Sequence, residues 1–123
     1  MDPRLLIVDD HADFRGFARR LLSLDGFEVV GEAADGAAAI SAAQLLRPDV
    51  VLLDVQLPDL DGFRVTEALT ARDGAPAVVL VSSRSRDDYG TRVALRSARG
   101  FVAKADLSGD TLRRALHRVP ETG

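Results

Sequence analysis

The sequence predicts an α/β fold in which five strands alternate with helices around one parallel sheet. Two patterns support this: five short apolar runs, and stretches with helical spacing between them. The length of 123 residues fits a single domain. The first, third and fourth runs are continuously apolar over four or five residues, as strands buried on both faces of a parallel sheet require. Right-handed crossovers then place helices on both faces, which makes the sheet doubly wound.

The first strand and the first helix follow directly from the start of the chain. Residues 5–8 (Leu-Leu-Ile-Val) form the first predicted strand. A helix face with the spacing i, i+3, i+4, i+7, i+8 comes next. Its residues are Phe14, Phe17, Ala18, Leu21 and Leu22. The opposite face carries Arg15, Arg19 and Arg20.

The second and third strands enclose an alanine-rich helix. The strands are predicted over 27–30 and 50–53, and each is a short apolar run. The helix opens at Asp35-Gly36 and continues to 45–46. An aspartate is a favoured residue at a helix N-terminus, because its side chain accepts from a free backbone N–H.

The last part of the chain gives two further strands and three helices. Strands are predicted over 77–81 and 101–103. One helix follows Asp61-Gly62, and the last helix has a clear apolar face. The residues of that last face are Leu112, Ala115, Leu116 and Val119. The helix predicted over 87–98 has the weakest pattern, because Gly90 costs it about 1 kcal/mol relative to alanine.

Composition excludes several classes of protein. The chain is 46% hydrophobic and 28% charged, which is typical of a folded domain and not of a disordered chain. It has no cysteine, so a disulfide scaffold and a thiol nucleophile are excluded. A net charge of −3 argues against direct nucleic-acid binding. There is no signal peptide pattern and no membrane-spanning run, so we expect a cytoplasmic protein without membrane contact.

Chemically active side chains follow the predicted strands. In open parallel sheets, ligands bind beyond the carboxyl ends of the strands. The residues that end the first, third, fourth and fifth strands are Asp9 with Asp10, Asp54, Ser82 and Lys104. Lys104 is the only lysine among 16 basic residues. Helix capping explains one aspartate after the first strand but not two.

Three clustered carboxylates repel one another unless a cation lies among them. Mg²⁺ prefers oxygen ligands and is often held by one or two carboxylates together with a phosphate. A carboxylate can itself accept a phosphoryl group, and a lysine ammonium is suited to a phosphoryl oxygen. The residues therefore indicate Mg²⁺-assisted phosphoryl chemistry, with Ser82 as a hydrogen-bond donor to the phosphoryl group.

Four segments resemble the receiver domain of bacterial two-component response regulators. They are residues 6–10 (Leu-Ile-Val-Asp-Asp), 50–62, 79–83 and 100–104. The resemblance extends from about residue 4 to residue 119. It implies a flavodoxin-like fold with strand order 2-1-3-4-5. It also implies that 1–123 is one receiver domain, with no output domain in this chain.

The resemblance implies a role for each residue at the strand ends. Asp54 accepts the phosphoryl group from a sensor histidine kinase. Mg²⁺ is held by Asp9, Asp10, Asp54 and the backbone carbonyl of Gln56. Lys104 pairs with the phosphoryl group, Ser82 is the switch hydroxyl, and Phe101 is the switch aromatic. The chain would assist its own phosphorylation and dephosphorylation without being a turnover enzyme.

Residues 8–15 and 30–36 are similar to receivers of the NarL/LuxR type, which carry a helix-turn-helix output domain. Ala105 stands where most receivers have a proline after the lysine. The expected partners are the kinase, a second copy of the chain, and a downstream output protein or a helix-turn-helix DNA-binding domain outside this chain. The sequence is compatible with a stand-alone regulator and with a fragment of a larger one.

One alternative keeps the fold and drops the chemistry: a pseudo-receiver that acts without phosphorylation as a dimerisation or interaction module. Other α/β classes fit less well. A dinucleotide enzyme needs a Gly-x-Gly-x-x-Gly motif, which is absent. A haloacid-dehalogenase-type phosphatase needs a second aspartate two residues after its nucleophile, and that position is Gln56 after Asp54.

Overall fold

The structure is a computed structural model that describes residues 2–71, 73–83 and 98–117. Its strands are β1 (Arg4–Val8), β2 (Glu28–Ala33), β3 (Val50–Asp54), β4 (Ala77–Ser82) and β5 (Gly100–Ala103). Its helices within those residues are α1 (Ala12–Leu24), α2 (Gly36–Leu46), α3 (Gly62–Thr70) and α4 (Gly109–Leu116). A 3₁₀ turn, Lys104–Asp106, follows β5. All strand pairs are parallel, in the order β2-β1-β3-β4-β5, which confirms the predicted fold.

The core forms one layer on each face of the sheet. Along β1, Leu5 and Ile7 belong to the layer beneath α1 and α4, whereas Leu6 and Val8 belong to the layer beneath α2 and α3. All four side chains are fully buried. This alternation is what a strand with helices on both sides requires. Burial of each such side chain contributes about 1.5–3 kcal/mol.

Side-chain caps fix where three of the helices begin. Asp35 accepts from the Ala38 amide at the start of α2. Asp61 accepts from the Phe63 amide at the start of α3. Ser108 forms a reciprocal capping box with Thr111 at the start of α4. Each cap satisfies backbone N–H groups that have no partner within the helix.

The second strand differs from its prediction over 27–30. The Phe27 amide donates to Leu22 O at 2.9 Å, so it serves the end of α1 instead of the sheet. The β2 strand starts at Glu28, and an irregularity in its pairing with β1 lies between Leu5 and Leu6. The strand ends at Ala33, three residues beyond the predicted end.

The predicted buried face of α1 is correct except at Phe17. Ala18 and Leu22 are fully buried, but Phe17 is 56% exposed. The buried direction lies between Ala18 and Leu22, and Phe17 is turned away from both around the helix. Its ring contacts Phe14 instead, with 6.4 Å between the ring centroids.

Some predicted features lie outside the described residues. They are the helix over 87–98, except its last residue, together with Val119 and the tail 120–123. In the described part, α4 ends at Leu116 and is capped by His117. No cis peptide bond occurs in the described ranges. None of the described helices is both long and apolar enough to cross a membrane.

The sheet register brings the strand ends to one edge. Val8 pairs with Leu53 across β1 and β3, so the residues that follow each of them, Asp9 and Asp54, emerge side by side. Asp54 pairs with Val81, and Ser82 pairs with Ala103. The backbone pairing of the strands therefore determines where the site lies.

Candidate metal centre

Asp9 is the most deeply buried member of the site, with no exposed surface. Its amide donates to Ala33 O at 3.0 Å, which holds it beside the end of β2. Its Oδ1 atom accepts from the His11 amide at 2.8 Å. Its Oδ2 atom lies 2.6 Å from Lys104 Nζ, an ion pair in which the carboxylate is fully buried. The carboxylate is thus held in one orientation by its own loop and by the end of β5.

Asp54 is the last residue of β3 and is 4% exposed. Its Oδ1 atom accepts from the Gln56 amide at 3.1 Å. Its Oδ2 atom lies 3.6 Å from Lys104 Nζ. The loop beyond it is closed by the Gly62 amide, which donates to Val55 O at 2.7 Å. Asp54 is therefore fixed between a strand and the start of α3.

Lys104 begins the 3₁₀ turn after β5, and its side chain is 17% exposed. Its ammonium lies between the Asp9 and Asp54 carboxylates. It also lies 4.4 Å from the centre of the Phe14 ring, a cation–π contact. The aromatic ring covers the lysine from the α1 side, so the positive charge stays at the carboxylates.

Asp10 and His11 form the exposed side of the site. His11 Nδ1 lies 3.1 Å from Asp10 Oδ1 and 3.0 Å from Asp9 Oδ1. One ligand atom from each of Asp9, Asp10, His11 and Asp54 can be chosen so that all lie within 4.8 Å of one another. His11 is not among the site residues that the sequence predicts. Its position directly after two predicted metal ligands was the available signal.

Burial is the largest single influence on the pKa of both inner carboxyl groups, and acting alone it would raise both pKa values. In Asp9, the hydrogen bonds from Lys104 and from the His11 amide outweigh burial, so its pKa lies below the ordinary 3.8. In Asp54, burial outweighs the hydrogen bond from the Gln56 amide, and the charge of Asp9 adds to its effect. The pKa of Asp54 is raised to about 6. Asp54 therefore stays mostly ionised at neutral pH.

The donor set fits a divalent cation. Three carboxylates and one lysine ammonium leave the site with two negative charges. Arg15 lies nearby, but its side chain is paired with Glu32, with Nε 3.1 Å from Glu32 Oε1. Oxygen ligands around an excess of negative charge are what Mg²⁺ prefers. Asp9, Asp10 and Asp54 are the carboxylates that would hold it.

The remaining predicted residues surround this centre. Ser82 ends β4 and is 1% exposed, one residue beyond the pairing partner of Asp54. Phe101 lies in β5, half-buried against the core layer beneath α2 and α3. The side chain of Gln56 is exposed, while its amide bonds to Asp54. Arg84, next to the site in sequence, lies outside the described residues.

Arg15 supports the site through a contact that the sequence does not predict. Its Nη1 donates to the backbone oxygen of Asp9 at 2.6 Å. Its Nε pairs with Glu32 Oε1, and Arg19 Nε lies 2.6 Å from Glu32 Oε2. The helical spacing puts Arg15 on the face of α1 opposite its apolar residues and predicts no contact with the site. The contact depends on how the loop after β1 turns, which no periodicity encodes.

The raised pKa of Asp54 predicts a pH dependence of stability in metal-free buffer. Between pH 3.8 and about 6, folded Asp54 binds more protons than unfolded Asp54, so the free energy of unfolding falls as pH rises. Asp54→Asn removes this loss. The variant should be more stable than wild type by about 1–3 kcal/mol at pH 7 and nearly equal at pH 4. Urea unfolding at both pH values measures this, and an equal difference at both would contradict it.

Three comparisons place the chain among known proteins. Residues 5–117 match the family model of the response regulator receiver domain. The DNA-binding transcriptional activator EvgA of Escherichia coli K12 is 33% identical over 101 residues, 82% of this chain and 50% of that protein. Response regulator GacA of Pseudomonas viridiflava is 38% identical over 102 residues, 82% of this chain and 48% of that protein. The chain thus spans about half the length of these curated relatives.

Solved structures agree with the family match. The signal receiver domain of a regulator named NarL from Mycobacterium tuberculosis superposes with a TM-score of 0.83 at 34% sequence identity. The alignment covers 95% of this chain and 98% of that one. The fold and the NarL-type resemblance are both confirmed.

Proposed function

The chain belongs to the response regulator receiver domain family, and on this premise we propose that Asp54 is its phosphoacceptor. One observation carries the proposal: Asp54 is a buried carboxylate at the end of the central strand, 3.6 Å from the only lysine of the chain. Burying the Asp54 carboxylate beside other charged groups costs free energy, and hydrophobic packing does not offset that cost. The burial therefore needs another explanation. The family is a signalling family, and phosphorylation is the signal that this site would receive.

In the proposed step, an Asp54 carboxylate oxygen attacks the phosphorus of a kinase phosphohistidine. A P–O bond forms to Asp54 and the P–N bond to the imidazole breaks, so the histidine leaves and an acyl phosphate remains. Phosphoryl transfer needs positioning and charge neutralisation more than covalent help. Lys104 supplies a positive charge at the attacking carboxylate and then at the phosphoryl oxygens.

Receiver domains bind Mg²⁺ at an acidic pocket, and we assign that role here to Asp9, Asp10, Asp54 and the backbone carbonyl of Gln56. When bound, Mg²⁺ neutralises negative charge on the phosphoryl oxygens. The His11 amide and the Arg15 side chain hold Asp9 from two sides. Asp9, the proposed metal ligand with the least exposed surface, is therefore held by two contacts in addition to its ion pair with Lys104.

The switch is assigned to Ser82 and Phe101. Phosphorylated Asp54 would draw the Ser82 hydroxyl towards a phosphoryl oxygen, and Phe101 would pack into the space that the loop after β4 leaves. The surface formed by β5, α4 and the helix predicted over 87–98 then changes. This is a local charge event that biases a two-state element. It would alter dimerisation or the binding of an output partner.

The partners follow from the same proposal. A sensor histidine kinase supplies the phosphoryl group, and a second copy of the chain or an output protein reads the altered surface. The name of EvgA includes DNA binding, and about half of EvgA lies outside the similarity. We propose that any DNA binding belongs to a helix-turn-helix domain outside these 123 residues, and that the receiver domain formed by these residues contacts no nucleic acid.

The test is intact mass after incubation with a small acyl phosphate donor, with Mg²⁺ or with EDTA. Wild type should gain one phosphoryl group only when Mg²⁺ is present, and Asp54→Asn should gain none. Asp110→Asn, an exposed aspartate of α4, is the matched control and should behave as wild type. If neither the donor nor a panel of histidine kinases modifies the folded wild type, the pseudo-receiver alternative replaces this proposal.

A further inference from the structure

The imidazole of His11 is aimed at the acidic site. Its Nδ1 atom lies 3.0 Å from Asp9 Oδ1 and 3.1 Å from Asp10 Oδ1. His11 occupies the N-cap position of α1, yet its side chain makes no capping hydrogen bond. Its backbone amide already bonds to Asp9 at 2.8 Å, so the loop is closed without the ring. The ring orientation is therefore not explained by helix capping or by loop closure.

The placement of the ring adds a nitrogen to a set of oxygen ligands. The Nδ1 atom is within 4.8 Å of the ligand oxygens of Asp9, Asp10 and Asp54. The side chain is 68% exposed, so a cation can reach the ring without unfolding of the loop. Imidazole suits Zn²⁺, Ni²⁺ and other first-row transition metals, whereas Mg²⁺ is suited by carboxylates, carbonyls and water.

We propose that His11 is a metal-selectivity residue, which shifts the site towards first-row transition dications that accept nitrogen ligands, such as Co²⁺, Ni²⁺ and Zn²⁺, relative to Mg²⁺. The inference rests on the metal site of the proposed function. Asp9, Asp10 and Asp54 would serve every divalent cation through oxygen. Nδ1 of His11 would contribute only to cations that accept nitrogen ligands.

The competing interpretation is that His11 only donates hydrogen bonds to the two carboxylates. In that case its removal changes the affinity for all dications by the same factor, because every cation uses the same oxygens. A glutamine at this position would then also restore wild-type behaviour, since its amide donates hydrogen bonds. A nitrogen ligand behaves differently, because the glutamine amide does not replace imidazole as a donor to a transition metal.

Two titrations separate these interpretations. Calorimetry with Mg²⁺ and with Co²⁺ gives the affinity ratio, and the visible absorption of bound Co²⁺ reports whether its ligands change. For both His11→Ala and His11→Gln we expect the Co²⁺ affinity to fall about tenfold or more, the scale on which single-residue changes alter metal sites. We expect the Mg²⁺ affinity to change little, and the Co²⁺ spectrum to shift in both variants.

The chain offers its own control, because its other histidine, His117, is exposed at the end of α4. His117→Ala should keep the wild-type affinities and spectrum. Equal losses for Mg²⁺ and Co²⁺, a spectrum that His11→Ala leaves unchanged, or full rescue by His11→Gln would each overturn the inference. These readouts need no phosphodonor. If the wild-type protein binds Co²⁺ through His11 but accepts no phosphoryl group, the proposed function is wrong and the inference on His11 still holds.

Discussion

Lys104→Met is expected to destabilise the metal-free protein by about 3 kcal/mol or more, the range found when one partner of a buried ion pair is removed. The Asp9 carboxylate has no exposed surface, and the lysine ammonium lies 2.6 Å from it. Methionine fills similar volume but leaves the buried charge without its counterion. A divalent cation would replace the missing charge, so Mg²⁺ should stabilise the variant more than it stabilises wild type.

Urea unfolding with EDTA and with excess Mg²⁺ measures both effects. Arg4→Met is the matched control, since the Arg4 side chain contacts solvent-exposed groups, Glu28 at 3.6 Å and the Arg47 backbone oxygen at 3.0 Å. That pair should contribute no more than about 1 kcal/mol, with no response to Mg²⁺. If Lys104→Met lowers the free energy of unfolding as little as Arg4→Met does, the ion pair between Lys104 and Asp9 does not stabilise the fold as argued.

Gly62→Ala is the second large effect, and it acts on the backbone behind Asp54. A Cβ atom at Gly62 would lie 2.5 Å from Asp54 O and 2.7 Å from Val55 Cα. Both are backbone atoms, so relief requires the end of β3 to move. We expect a loss of about 2–3 kcal/mol in the free energy of unfolding, and slower phosphorylation because Asp54 is displaced with its backbone.

Gly16→Ala gives the opposite result from the same substitution. Gly16 lies in α1, and a Cβ atom there would meet nothing within 4 Å. Alanine in a helix interior is better than glycine by roughly 0.5–1 kcal/mol, so this variant should be more stable than wild type. Denaturant unfolding of the two variants side by side tests the argument. A Gly62→Ala protein as stable as wild type would show that the loop after β3 is not closed in this way.

The fold was predictable because each element leaves a local pattern. Fully apolar runs marked β1, β3 and β4, and aspartates followed by glycine marked the starts of α2 and α3. The convergence of Asp9, Asp54 and Lys104 was predictable for a different reason, since parallel strands bring their carboxyl ends to one edge. What could be predicted was therefore which residues meet, and not the distances between them.

The contacts of Arg15 and His11 could not be predicted in the same way. Both depend on the path of the short loop between β1 and α1, which sets a side-chain direction without any repeating pattern. Phe17 shows the related limit within a helix. Its spacing matched the apolar face, but burial depends on where the sheet lies relative to that face. The start of β2 was misplaced because the Phe27 amide bonds to α1, a contact that hydrophobicity does not encode.

The location of the phosphoryl group tests directly whether Asp54 is the phosphoacceptor. The wild-type protein would be phosphorylated with a small acyl phosphate and Mg²⁺, treated with hydroxylamine, digested and analysed by peptide mass. An acyl phosphate at Asp54 loses phosphate to hydroxylamine and becomes a hydroxamate, so we expect this modification on Asp54 alone. A phosphoryl group that survives the treatment on a serine or threonine, or a hydroxamate on another aspartate, would contradict it.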